Sequence, residues 1–342
     1  MRVREVEAVR RALRTAFIRL PDVLARGARL VVGFSGGQDS TCLLHALANA
    51  HRGLDLLAVH VDHGLQPDSA TAAQRARALA DEIGILCEVV DVEVLRSGSL
   101  EQAARVARYA ALTEAAQRHR ANAIVVAHTA DDQAETLLLN LLRGAGLLGL
   151  AGMRMDDAQS GTRLVRPLLS ISRATTLAYC THFGLTLVED ASNQARAFTR
   201  NRVRLDLLPQ LEQFNPAIRE VLARTAELAG DDLSMLDALA EQAHTTLFND
   251  GQYDLRRFRD QPRAMQRRIL RLALQALGVS LRDVADRPIE DALNLLQTGQ
   301  PNQTYHLPYG VEVCMRQHAF VLRKHQAALP PANTWDFVVP RV

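Results

Sequence analysis

Lysine is almost missing from this chain: Lys324 is the only one, and every other basic residue is arginine. A phosphate-binding loop of the common mononucleotide design, which sets a lysine on the terminal phosphates, is therefore excluded. Cysteine is sparse as well. Cys42, Cys87, Cys180 and Cys314 lie far apart and form no C-x-x-C pair, so the usual sequence signature of a zinc site or a redox couple is lacking, and buried structural thiols are expected. No uncharged apolar run approaches the roughly 18–20 residues that span a bilayer. Residues Met1 to Arg14 alternate charges with short aliphatics, unlike a secretory leader, so a soluble, cytoplasmic protein is expected. Internal repeats and low-complexity segments are absent too.

What remains is ordinary globular composition, 48% apolar and 23% charged over 342 residues, a length that exceeds what one core usually organises. The net charge is only +2, yet arginines cluster at Arg2, Arg4, Arg10, Arg11, Arg14 and Arg19 and again between Arg256 and Arg271. Such clusters suit a polyanion partner, or they are solvated helix faces.

After a helical lead-in, residues 1–28, short aliphatic runs alternate with amphipathic stretches. Strands are expected at Arg29–Phe34, Leu56–His63, Cys87–Glu93 and Ala123–His128. Helices are expected near Ser40–Ala50, Asp68–Ile83, Ser99–Arg120 and Asp131–Leu142. That alternation predicts an α/β fold with a doubly wound parallel sheet. Arg163–Leu169, a helix from Ser172 and Leu185–Glu189 extend this domain, giving it bounds of 29–214. From Asn215 the Leu/Ala-periodic stretches Ala217–Phe248 and Pro262–Leu277 predict a second, mainly helical domain over 215–330, closed by a small terminal sheet at Thr304–Arg323. Pro330-Pro331 leads into a tail, 331–342.

Ser35-Gly36-Gly37-Gln38-Asp39-Ser40 falls between a strand and a helix, where backbone amides and the helix N-terminus face one point and favour anions. Paired glycines admit a close approach of phosphate, the serines add donors, and Asp39 can take a magnesium ion. The competing reading is a serine-glycine turn that caps a helix. Further on, Asp131, Asp132 and Glu135 open a helix with Asp132 and Glu135 on one face, able to share a cation or simply to complement the helix dipole. His128 stands beside them.

S-G-G-x-D-S after a first strand resembles the loop of the N-type ATP pyrophosphatases, the PP-loop superfamily, whose members activate a carbonyl oxygen with AMP. Within it the chain resembles the tRNA(Ile)-lysidine synthetase family through six ordered segments. These are H-V-D-H-G-L-Q-P-D-S at His60–Ser69, A-R-Y-A-A-L at Ala107–Leu112, the run from Ala127 to Leu150, R-P-L-L at Arg166–Leu169, E-D-A-S-N at Glu189–Asn193 and R-N-R-V-R at Arg200–Arg204. Many relatives carry a second histidine where Thr129 stands.

The resemblance implies ATP and Mg2+ as cofactors, and as partners a tRNA(Ile) with a CAU anticodon and free L-lysine, with a homodimer left open. It implies ATP binding by Ser35, Gly36, Gly37, Gln38, Asp39, Ser40, Asp62 and His63, with Asp39 as the metal ligand. Lysine binding falls to Asp131, Asp132 and Glu135, and the catalytic set is Asp39, His128, Asp132 and Glu135. Arg105, Arg108, Arg143, Arg200, Arg202 and Arg204 are the expected tRNA contacts. The implied reaction attaches lysine to the wobble cytidine through an adenylated intermediate. A tRNA thiolation enzyme of the same superfamily, a small-molecule synthetase and a non-catalytic nucleotide-binding protein are the alternatives.

Overall fold

The computed structural model describes residues 2–50, 53–64, 69–94, 100–159, 161–188, 199–279 and 286–324. The E-D-A-S-N segment and the tail at 331–342 lie outside them. The chain divides into two compact units, Met1–Asp231 and Asp232–Val342.

In the first unit, α1 (Arg2–Arg19) precedes β1 (Arg29–Gly33), α2 (Gln38–Ala48), β2 (Asp55–Asp62), α3 (Ser69–Ile83), β3 (Cys87–Asp91), α4 (Leu100–Arg118) and β4 (Ala123–Val125). Then come α5 (Ala130–Leu142), α6 (Leu147–Leu150), the hairpin β5 (Asp156–Gln159) and β6 (Thr162–Val165), α7 (Arg173–Phe183), α8 (Thr199–Arg202) and α9 (Leu208–Phe214). Leu30, Val31 and Val32 are shielded on both sheet faces, which is why β1 reads as an unbroken aliphatic run and not as an alternation.

The sheet order is β3-β2-β1-β4-β6-β5, parallel except for β5, which pairs antiparallel with β6. β1 therefore has β2 on one side and β4 on the other. This is the switch point where connections leave in opposite directions and a crevice opens beyond the carboxyl ends of the strands. The Ser35–Ser40 loop follows β1 and His128 to Glu135 follows β4, so topology alone sets the two segments side by side.

Some expectations need correcting. The strand expected to run to His128 ends at Val125, and the β5–β6 hairpin was not foreseen. Residues 185–188, expected to extend the first domain, adopt no regular secondary structure. They cross the phosphate loop instead, and the Val188 amide donates to the Gly36 carbonyl at 2.9 Å. Between α8 and α9 the backbone opens into a π turn, Val203–Leu207. Pro209 lies just beyond; its ring nitrogen carries no hydrogen, so the helix cannot keep its regular ladder there.

The long helix α10 (Ile218–Leu247) contains the division between the units. The second unit continues with β7 (Phe248–Asn249), β8 (Gln252–Asp254), α11 (Leu255–Arg259), α12 (Arg263–Ala276), α13 (Asp286–Thr298), β9 (Thr304–Leu307), β10 (Val311–Met315) and β11 (Ala319–Lys324). Its sheet, β7-β8-β11-β10-β9, has five strands, larger than the terminal sheet expected because Phe248–Asp254 contributes two. Ile269, Leu270, Leu293 and Leu296 pack with Phe258, Val313 and Phe320 to form its core.

Candidate active site

At the loop, Gly36 adopts φ +78°, and a β-carbon there would lie 2.8 Å from Val188 Cγ2, so neither the turn nor the crossing chain tolerates a larger residue. The Ser35 amide donates to Ser40 Oγ at 3.2 Å, and the two hydroxyls lie 3.1 Å apart. Gly37 occupies the N-cap of α2 and offers no side chain to cap it. Among the described residues no N-cap side chain takes up the first-turn amides of α2, and together with the helix dipole they suit an anion.

Asp39, in that first turn, accepts from the Thr176 hydroxyl and from Arg173 Nε at 3.3 Å. Burial raises its pKa; the Thr176 bond and the Arg173 charge pull the other way without prevailing. Gln38 Nε2 donates to the Arg173 carbonyl at 2.9 Å, tying the loop to α7.

Helix α5 begins with a capping box: the Thr129 amide and hydroxyl both donate to Asp132 Oδ2 at 2.9 Å. Asp132 Oδ1 accepts from Arg173 Nη2 at 2.5 Å and Arg200 Nη2 at 3.2 Å. Glu135 is fully buried. It accepts from Arg173 Nη1 at 3.1 Å and Arg200 Nε at 2.8 Å, and both arms of Arg204 grip it at 2.6 and 3.1 Å. Asp131 receives the Arg173 amide at 2.8 Å, which caps α7, and Arg219 Nη1 at 3.2 Å. Burial opposes ionisation of Asp132 and Glu135, but the surrounding guanidinium charges outweigh it and hold both pKa values below the ordinary carboxylate range. Four carboxylates thus face four guanidiniums in one closely paired network.

Among the described residues nothing hydrogen-bonds the shielded Nδ1 of His128. Burial first, with Arg166, Arg105 and Arg200 adding to it against Asp132, pushes its pKa down to about 3, so the ring is neutral at pH 7. On the far side of β1, His60 Nδ1 donates to the Phe34 carbonyl at 3.0 Å, and Asp62 accepts the Gly64 amide at 2.9 Å. His63 accepts from Arg108 Nε at 3.5 Å. Arg105 lies over the Tyr109 ring, 5.2 Å from its centre.

The structure gives two expected tRNA contacts other partners. Arg200 and Arg204 are turned onto Glu135, whereas Arg202 between them is exposed, as is Arg143 at the end of α5. In the second unit Arg263 and Arg267 share Glu290 and Arg268 pairs with Asp237, so part of that arginine cluster is neutralised, while Arg256 and Arg257 stay exposed. Arg173, Thr176 and Arg219 were missed from sequence. The only local signal was Ser172, the N-cap of α7 immediately before Arg173. The cysteine spacing also hid one neighbour pair, since Cys42 and Cys180 are buried together within hydrogen-bonding reach.

Comparison with known proteins bears on the family and the fold. A family profile described as a PP-loop domain matches residues 8–211, and one described as the TilS substrate binding domain matches residues 253–329. The tRNA(Ile)-lysidine synthase of Thermosynechococcus vestitus is 39% identical over 301 residues, covering 86% of each chain. That of Salinispora tropica is 43% identical over 324 residues, covering 91% of this chain and 94% of its own. Among solved structures, the U34-tRNA thiolase NcsA from Methanococcus maripaludis with its [4Fe-4S] cluster superposes with a TM-score of 0.58 at 18% identity, over 68% of this chain and 80% of that one. That last likeness concerns the fold alone. With profiles matching in both units and relatives aligned over most of their lengths, the chain belongs to the tRNA(Ile)-lysidine synthase family.

Proposed function

We propose that the chain uses ATP to adenylate the wobble cytidine of an isoleucine tRNA with a CAU anticodon and then joins the side-chain amine of free lysine to that base, releasing AMP and pyrophosphate. One observation carries this reading: an anion-binding helix terminus without lysine and a buried set of carboxylates meet at one switch point, linked through Arg173.

The Ser35–Ser40 loop binds the triphosphate, with Asp62 and His63 near the nucleotide. In the first step the cytosine oxo group attacks the α phosphorus and pyrophosphate leaves, its charge met by the α2 amides. Asp39 suits a hard cation, because magnesium is satisfied by one carboxylate with phosphate oxygens and water. When bound there, magnesium would neutralise charge on the phosphate oxygens. In the second step the lysine nitrogen attacks the activated ring carbon and AMP departs. Asp131, Asp132 and Glu135 hold the ammonium beforehand, and it gives up one proton to solvent so that the neutral amine's lone pair can attack. As the nitrogen bonds to the ring carbon it becomes strongly acidic, so a weak acceptor suffices, and neutral His128 takes the second proton.

Exposed Arg202 and Arg143, with Arg105 and Arg108, contact the RNA backbone. Catalysis is assigned to the PP-loop domain and further tRNA contact to the accessory domain. The test is to mix the protein, ATP, magnesium and isoleucine tRNA transcript with each labelled amino acid in turn. Label should enter RNA with lysine alone; sulfur transfer from a donor, or AMP release indifferent to tRNA, would refute the reading.

A further inference from the structure

Among the described residues one side chain touches both halves of the site. Arg173 donates Nε to Asp39 Oδ2 at 3.3 Å, Nη2 to Asp132 Oδ1 at 2.5 Å and Nη1 to Glu135 Oε1 at 3.1 Å. Its main chain is fastened at the same place, the amide to Asp131 and the carbonyl to Gln38. The three carboxylates it spans belong to two helices that follow different strands, α2 after β1 and α5 after β4. A rigid, planar fork is suited to such a span, whereas a point charge is not.

We propose that Arg173 is a positioning residue that acts as a built-in counter-cation and couples the two substrates: metal-nucleotide loading at Asp39 loosens it, and the lysine ammonium then enters between Asp132 and Glu135. The inference rests on the reading of those carboxylates as the amine site. Its physical basis is competition for the same oxygen atoms. A cation arriving at Asp39 takes the atom that anchors Nε and repels the guanidinium, removing one of its three holds. The cation that comes second then meets a weakened competitor. Whichever loads first bears most of the displacement cost, so the two bind with positive cooperativity, and linkage makes the effect reciprocal. Arg200 and Arg204 do not serve this purpose, since they bond to Asp132 and Glu135 and not to Asp39.

Equilibrium dialysis of radiolabelled lysine against the full chain tests this, with and without magnesium and an ATP analogue bearing a methylene bridge between the α and β phosphates, which blocks adenylation. In the wild type the analogue should tighten lysine binding about tenfold, in the middle of the usual range for coupled sites. The reciprocal measurement, lysine tightening the analogue, should give the same factor. Arg173→Gln should bind lysine better than wild type without nucleotide and show less than about threefold coupling. Arg173→Lys, whose ammonium cannot reach all three carboxylates, should fall between the two. Full coupling in R173Q, or lysine binding weakened equally in both conditions as for a mere scaffold, would overturn the proposal. If R173Q does not fold by thermal melting, R173K decides, and undiminished coupling there is the refuting result. Absence of lysine binding to wild type in both conditions would instead defeat the functional reading, and this proposal with it.

Discussion

Replacing Glu135 by glutamine keeps the shape of the side chain and removes its charge. Glu135 is fully buried and accepts from Arg173, Arg200 and both arms of Arg204, three guanidiniums that are themselves only 17–24% exposed. The new amide can still accept on one side, but on the other it sets its own donors against those of an arginine. Breaking a buried ion pair from one side costs about 3–5 kcal/mol, and the residual exposure of the arginines favours the lower half, about 3–4 kcal/mol. For a unit the size of Met1–Asp231 each kcal/mol lowers the midpoint by about 2–4 °C, so Glu135→Gln should melt about 6–16 °C below wild type. Thermal denaturation followed by circular dichroism gives the number. Repeating it in about 0.5 M salt should change the difference little, because largely buried pairs are weakly screened. A shift below about 3 °C, or one that salt erases, would mean that the network contributes no more than surface pairs do.

Gly36→Ala should destabilise the fold by about 2–4 kcal/mol, from its φ of +78° and the collision with Val188, and weaken nucleotide binding in calorimetry at least tenfold; adding Val188→Ala should recover part of the loss, and a wild-type-like G36A would contradict the loop geometry. His128 is neutral in the fold, with a pKa of about 3 against an ordinary 6.5, so the unfolded chain binds the extra proton between those values and stability is lost as pH falls below about 6.5. His128→Asn should therefore flatten the stability profile between about pH 6 and 4 by up to about 1.4 kcal/mol per pH unit, measured by urea titration at each pH. An unchanged slope would show that the histidine is not kept neutral. Arg202→Ala should leave stability within about 0.5 kcal/mol but lower the salt dependence of tRNA binding by about one phosphate contact, whereas Arg204→Ala should lower the melting point; the opposite pattern would reverse their inward and outward assignments.

The parallel sheet was legible because β1, β2 and β4 are aliphatic runs ending in polar, glycine- or histidine-rich segments, and a switch point gathers such ends. The phosphate loop and the carboxylates of α5 were readable for the same reason, each lying within one short stretch that local rules govern. Arg173 was not. It reaches Asp39 across 134 positions and Glu135 across 38, and no local periodicity records where a long side chain will settle. Arg200, Arg202 and Arg204 were legible as basic but not as divided in purpose. Arg200 and Arg204 stand four apart on one helix face with Arg202 opposite, a spacing that separates them but does not say which face will meet the distant Glu135.

Asp132 starts a helix with one oxygen and meets guanidiniums with the other. A geneticist who mutates it will therefore see an inactive allele for two inseparable reasons, a frayed segment and a missing charge. Thr129 is the place to tell them apart: trimming its hydroxyl loosens the cap and leaves the acid intact, so any activity surviving that lesion measures what Asp132 does beyond beginning the helix.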